Sequence, residues 1–240
     1  MVQARLGLVP VSDAEMLERV RELRSRGRTP KEIARATGLR PAEVAPLIRA
    51  VAGMLPRAEP ALIGCWVSRG WSAGLGIAGH QDWPGIDAGD GSVGESGLAS
   101  VLVARGNGGD AVVCGYLVDT WCLGVKNALG PEPVPRRKLP EFVGQYYGSY
   151  VEPPLPAPLD LSRQLVFGAV AYARGLGFEP HPDFAQASGQ LGEWDGVCDI
   201  TFGRDGVPVY IQGPHDDAGK IIKTLRRSVG DGNFHVLAGL

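Results

Sequence analysis

Long apolar runs are what this chain most conspicuously lacks. Nothing in its 240 residues approaches the ~18 consecutive apolar side chains of a membrane-crossing helix, so no segment is a candidate for one. Residues 1–10 also lack the apolar centre and small-residue cleavage site of a secretory signal, and the expected location is the cytoplasm. Cysteine is scarce: Cys65, Cys114, Cys122 and Cys198 stand far apart without C-x-x-C spacing. That excludes zinc-ribbon and thioredoxin-like motifs and leaves four small buried hydrophobes as the expectation, with no disulfide in a reducing compartment. What remains is ordinary: 44% hydrophobic and 21% charged residues suit a globular chain long enough for one or two domains.

Net charge is only −2, but it is unevenly spread. Residues 1–60 carry eleven Arg or Lys against seven Asp or Glu, whereas residues 61–240 carry thirteen against nineteen. The positive end is crowded: Arg19, Arg21, Arg24, Arg26, Arg28, Lys31, Arg35 and Arg40 fall close together. Such asymmetry suits phosphate binding, because each neutralised phosphate releases counterions. Glu15, Glu18 and Glu22 stand at helical spacing from Arg19 and Arg26, so part of that charge is expected in surface ion pairs.

The same end reads as three helices. The first is expected over residues 13–26, capped by Ser12 or Asp13, with Met16, Leu17, Val20 and Leu23 inward. Thr29 and Glu32 then form a capping box around Pro30, and Gly38 supplies the positive φ that ends the second helix. Pro41 opens a third helix whose apolar face is Val44, Leu47, Ile48 and Val51, with Pro46 expected to kink it. Residues 28–52 resemble the helix-turn-helix of bacterial regulators and sigma factors. The resemblance implies a second helix able to enter a DNA major groove. On this reading Arg28, Lys31 and Arg35 hold phosphates while Arg40 and Arg49 face bases or backbone, and Glu43 repels phosphate.

Two prolines in residues 55–60 mark a linker, dividing a helical head at 1–56 from a larger domain at 61–240. There, strands are expected over 61–71, 98–105 and 111–119, the last two joined by Asn107-Gly108-Gly109-Asp110 as a hairpin. A glycine-rich loop is expected over 72–97, helix over 120–129, and a proline-crowded stretch over 130–160 with a short helix carrying Tyr146, Tyr147 and Tyr150. Asp160 is expected to cap a helix that Gly175 and Gly177 end, and a short helix follows His181. A second hairpin pairs 197–202 with 207–212, and a last helix covers 216–229. The fold class is therefore α+β: a small all-helical head, then a mostly antiparallel sheet with helices on one side. Residues 122–128 (CLGVKNA) and 177–184 (GFEPHPDF), and less closely 210–217, resemble recurring stretches of uncharacterised bacterial proteins. No activity comes with that likeness.

Histidine beside carboxylate is raw material for metal or general-base chemistry, and it recurs around His80, His181 and His215. A metal-dependent hydrolase or nuclease would draw on His80, His181, His215, Asp216 and Asp217. The simpler reading makes Asp183, Asp216 and Asp217 helix caps, with no cofactor. Cys122 and Lys126 share a face if 120–129 is helical, which would activate the thiol. Gly74-x-Gly76-x-x-Gly79 matches a dinucleotide fingerprint in letters but precedes no helix, so it carries no cofactor expectation. The favoured reading is a regulatory DNA-binding protein whose larger domain senses, dimerises or recruits. A factor docking polymerase or the ribosome is the remaining alternative.

Overall fold

A computed structural model describes residues 13–54, 60–86 and 97–237, with the helical backbone alone at 13 and 52–54. The chain forms two compact units, Met1–Glu59 and Pro60–Leu240.

The first unit holds α1 (Asp13–Ser25), α2 (Pro30–Thr37) and α3 (Pro41–Met54). Thr29 and Glu32 close the expected capping box, and Gly38 ends α2 at φ 73°. Val20, Leu23, Ile33, Val44 and Val51 form the shared core, with Leu39 from the α2–α3 turn packed against it. Pro46 lies inside α3, which continues through it although no N–H is available for the carbonyl one turn back. Ser12 lies outside the described residues, and of Asp13 only the backbone is described.

The second unit is built on β1 (Leu62–Val67), β3 (Leu98–Arg105), β4 (Asp110–Asp119), β5 (Gly124–Pro135) and β6 (Leu155–Ala157). Between β1 and β3 runs a short strand, β2 (Gly76–Ile77). The main sheet is antiparallel in the order β5-β4-β3-β1-β6. Helix α5 (Leu159–Gly175) and the short α6 (Phe184–Ala187) cover one face, where Val101, Val103, Cys114, Tyr116, Leu161, Leu165 and Ala169 meet. Burying Leu161 and Leu165 stabilises the fold by roughly 1.5–3 kcal/mol each.

Helices are not confined to one side. Helix α4 (Leu139–Tyr146) lies on the opposite face, packing Leu139, Val143 and the adjoining Tyr147 against Leu102, Ala104 and Val113. The cause is written into β3, whose side chains from Ala99 to Arg105 are all buried, so neither face of that strand can meet water.

Three other expectations fail. Residues 120–129 are not helical: a turn leads from Asp119 directly into β5. Pro131, Pro133 and Pro135 fit that strand because it is an edge, with no neighbouring strand on its outer side among the described residues. The second hairpin does not form either. Only an isolated bridge joins Arg204 to Val207, while β7 (Ile200–Thr201) pairs with β2. The strand β8 (Val209–Ile211) runs parallel to β9 (His235–Leu237), with α7 (Ala218–Val229) between them in the chain. Finally, the glycine-rich segment is anchored as far as Ile86. Trp83 is only 5% exposed in the main core, and Trp71 Nε1 donates to the Pro84 carbonyl at 2.8 Å. Residues 87–96 lie outside the described part.

Candidate functional site

The helical unit presents its cations unequally. Arg28 Nη1 lies 3.2 Å from Glu32 Oε1, and Arg40 Nη2 lies 2.6 Å from Glu43 Oε1. Glu43 also receives the Arg40 backbone N–H at 2.9 Å, so one carboxylate both starts α3 and occupies the guanidinium. Those bonds, the guanidinium's first and the backbone N–H second, draw the Glu43 carboxyl down to about 2. Among the described residues Lys31, Arg35 and Arg49 are exposed and meet no carboxylate. Of the five cations expected to meet nucleic acid, Lys31, Arg35 and Arg49 are thus free of carboxylates, while Arg28 and Arg40 are paired. Besides Arg49 and the paired Glu43, α3 turns outward the small or apolar Ala42, Ala45 and Pro46, all exposed.

In the second unit His80 and His181 each meet a separate carboxylate, Asp199 and Asp183 respectively. His80 Nε2 lies 2.9 Å from Asp199 Oδ2, and its ring stacks on Trp83 at 4.0 Å and 7°. Asp199 is held in turn by the buried Gln164, whose Oε1 accepts the Asp199 N–H at 2.7 Å and whose Nε2 donates to Asp160 Oδ2 at 3.1 Å. Asp160 reaches a cavity of about 250 Å³ shared with Arg163, Glu193, Trp194 and Asp195. It sits in the first turn of α5 and is not the expected cap: the N-cap position is Pro158, which makes no side-chain bond. His181 is fixed through its backbone N–H to the Val125 carbonyl, and its Nδ1 accepts the Asp183 N–H at 3.3 Å. The Asp183 side chain makes no capping bond, contrary to expectation. His215 is exposed. Among the described residues no three His, Cys, Asp or Glu side chains converge as metal ligands would.

Asp216 and Asp217 divide the work assigned to both. Asp217 alone caps α7, accepting the Lys220 N–H at 3.0 Å. Asp216 turns inward to Lys126, with Nζ at 3.0 Å from Oδ2 and 3.2 Å from Oδ1. The Gly213 N–H and the Tyr210 hydroxyl also donate to Oδ2. Burial pushes the Asp216 carboxyl up, but the Lys126 ammonium and the Gly213 N–H together outweigh it and leave the group below its ordinary value. Gly213 leaves room for the pair, because a Cβ would stand 2.9 Å from Asp216 Oδ2 and 3.2 Å from Lys126 Nζ and push them aside.

Asp119 belongs to the same neighbourhood, its carboxyl lying within reach of the Lys126 charge. Asp119, only 5% exposed at the end of β4, accepts the N–H groups of Trp121 and Cys122 at 3.0 and 2.9 Å. Burial raises its carboxyl to about 6, the two N–H groups and the charge of Lys126 offsetting part of the effect. Burial, followed by the Asp119 charge, pushes the Cys122 thiol strongly upward, so this cysteine is the opposite of an activated nucleophile. No family model, curated protein or solved structure matches the chain.

Proposed function

We propose that the chain is a regulatory nucleic-acid-associated protein of the cytoplasm, docking duplex DNA through a helix-turn-helix head. The observation that carries this is the cationic set Lys31, Arg35 and Arg49, exposed and unmatched by carboxylates among the described residues. The Gly38 turn between α2 and α3, with Leu39 packed beneath it, supports the motif. The base-reading surface is poor, since Ala42, Ala45 and Pro46 offer no hydrogen bonds, and affinity therefore rests on phosphates with modest sequence preference. The acidic α+β unit serves sensing, dimerisation or recruitment, and no cofactor is needed for any of these. Among the described residues, no helix is long and apolar enough to cross a membrane. Electrophoretic retardation of duplex DNA at low salt tests the proposal, and absence of retardation for any duplex ends it.

A second reading has one observation in its favour. The same exposed Ala42, Ala45 and Pro46 make a flat, weakly polar strip suited to a protein surface, which is how a head docking polymerase or the ribosome would look. Retardation of DNA lost on substituting Lys31 and Arg35, but kept on substituting Ala45, separates the two.

A further inference from the structure

On the α4 face of the sheet the packing leaves a cavity of about 250 Å³. Its floor is a specific piece of backbone. Gly115, Tyr116 and Leu117 of β4 pair with Leu129, Ala128 and Asn127 of β5, and a register shift interrupts the ladder on each side of that block. Paired irregularities of this kind re-aim side chains, and they cluster beside functional sites. Gly115 opens the floor further: a Cβ there would fall 2.5 Å from the Tyr146 ring, so Tyr146 lies against the sheet only because residue 115 has no side chain.

The walls are rich in hydrogen-bonding groups and carry no charge. Ser100 Oγ and the Tyr150 hydroxyl are 2.7 Å apart, forming a pair that retains further donor and acceptor capacity. The Tyr146 hydroxyl reaches the carbonyls of Val101 and Tyr116 only at 3.3 and 3.4 Å, well beyond the ~2.7–2.8 Å of a good O–H···O bond. Its hydrogen bonding inside the protein is therefore loose. Leu117 and Leu129 supply the apolar part, and Leu129 is 43% exposed at the surface. Among the described residues, no Asp, Glu, Lys, Arg or His side chain lines the cavity.

From these features we infer that the cavity is a binding site for a small, uncharged ring compound bearing both hydrogen-bond donors and acceptors, such as an amide or imide. An ionic ligand would lose its hydration and find no counter-charge here. A purely apolar one would leave unused the spare hydrogen-bonding capacity of the Ser100–Tyr150 pair and of the loosely held Tyr146 hydroxyl. The site gives the larger unit a sensing role and stands independently of DNA binding by the head.

An isosteric series tests it on the full chain. Benzamide, benzoate and benzamidine have one shape and three charges, and binding is read from tyrosine ring shifts in NMR titrations. Benzamide should saturate below about 10 mM, with the two ions at least about tenfold weaker. Tyr150→Phe should weaken benzamide by about threefold to tenfold, the worth of one hydrogen bond. Leu129→Glu, at a position 43% exposed and outside the buried core, should weaken it by a comparable or larger factor. Absence of saturable benzamide binding overturns the inference. So does equal binding of benzoate or benzamidine, or unchanged affinity in both variants when their melting temperatures match the parent.

Discussion

Lys126 Nζ stands 3.0 Å from Asp216 Oδ2, tying edge strand β5 to the residue before the cap of α7. The two side chains are 23% and 15% exposed, so removing either leaves a largely desolvated charge. Asp216→Ala should cost about 2–4 kcal/mol, more than the roughly 0.5–2 kcal/mol of a lost cap in Asp217→Ala. A urea-denaturation cycle with Lys126→Met should show coupling of about 1–3 kcal/mol. Because the folded carboxyl is held below its ordinary value, this contribution is present above the unfolded pKa and lost as pH falls through the folded one. Equal costs for the two Asp→Ala changes would return Asp216 to a capping role.

Asp119 has the opposite sign. Its carboxyl is raised from 3.8 to about 6, so the folded protein keeps a proton that the unfolded chain has released. Stability from this group is full below the unfolded value and lost as pH rises toward about 6, a loss of about 2–3 kcal/mol. Asp119→Asn retains an oxygen for the Trp121 and Cys122 N–H groups and removes the titration. Its gain over the parent should be near zero at pH 4 and reach the full difference by pH 7, as measured by melting across that range. A pH-independent difference would mean that Asp119 titrates normally.

Trp83 lies in the glycine-rich loop and is nonetheless part of the main core, 5% exposed and in edge contact with Trp71. Trp83→Ala should cost about 3–5 kcal/mol, and residues 72–86 of the parent should resist limited proteolysis. Ser72 Oγ donating to the Gly85 carbonyl at 3.1 Å holds the two ends of that stretch together. Rapid cleavage between Ser72 and Ile86 would contradict the packing.

What could be read in advance was local. The capping box at Thr29 and Glu32 and the β3–β4 hairpin follow from contiguous residues, and each formed where its signals lay. What could not be read depended on partners distant in the chain. Alternating prolines signal a loop until a neighbouring strand makes their segment an edge, as β4 does for β5. Cys122 and Lys126 are four apart, a spacing a helix uses and a strand tolerates, so only the tertiary position of β5 decided it. The hydroxyl cavity needed Gly115, Ser100 and Tyr146 from three elements, none carrying a motif of its own. Asp216 and Asp217 are adjacent acids before a helix, and only Lys126, 90 residues away, separates their roles.

The head offers the sharpest test of nucleic-acid binding, because its cations differ in what already neutralises them. Each phosphate contact contributes about 0.9 to the slope of log affinity against log salt. Replacing the free trio Lys31, Arg35 and Arg49 with Ala or Gln should therefore flatten the slope by about 2–3 units. Arg40 behaves differently, since Glu43 holds its guanidinium at 2.6 Å and the pair presents little net charge to DNA. Glu43→Gln should release that guanidinium, tighten duplex binding and steepen the slope by up to about one unit. It should also cost stability, because the Arg40 N–H at the start of α3 loses a charged acceptor. Tighter DNA binding from a less stable head is an outcome that general destabilisation cannot produce. If affinity instead falls in step with melting temperature in Glu43→Gln, Arg40 has no part in phosphate binding.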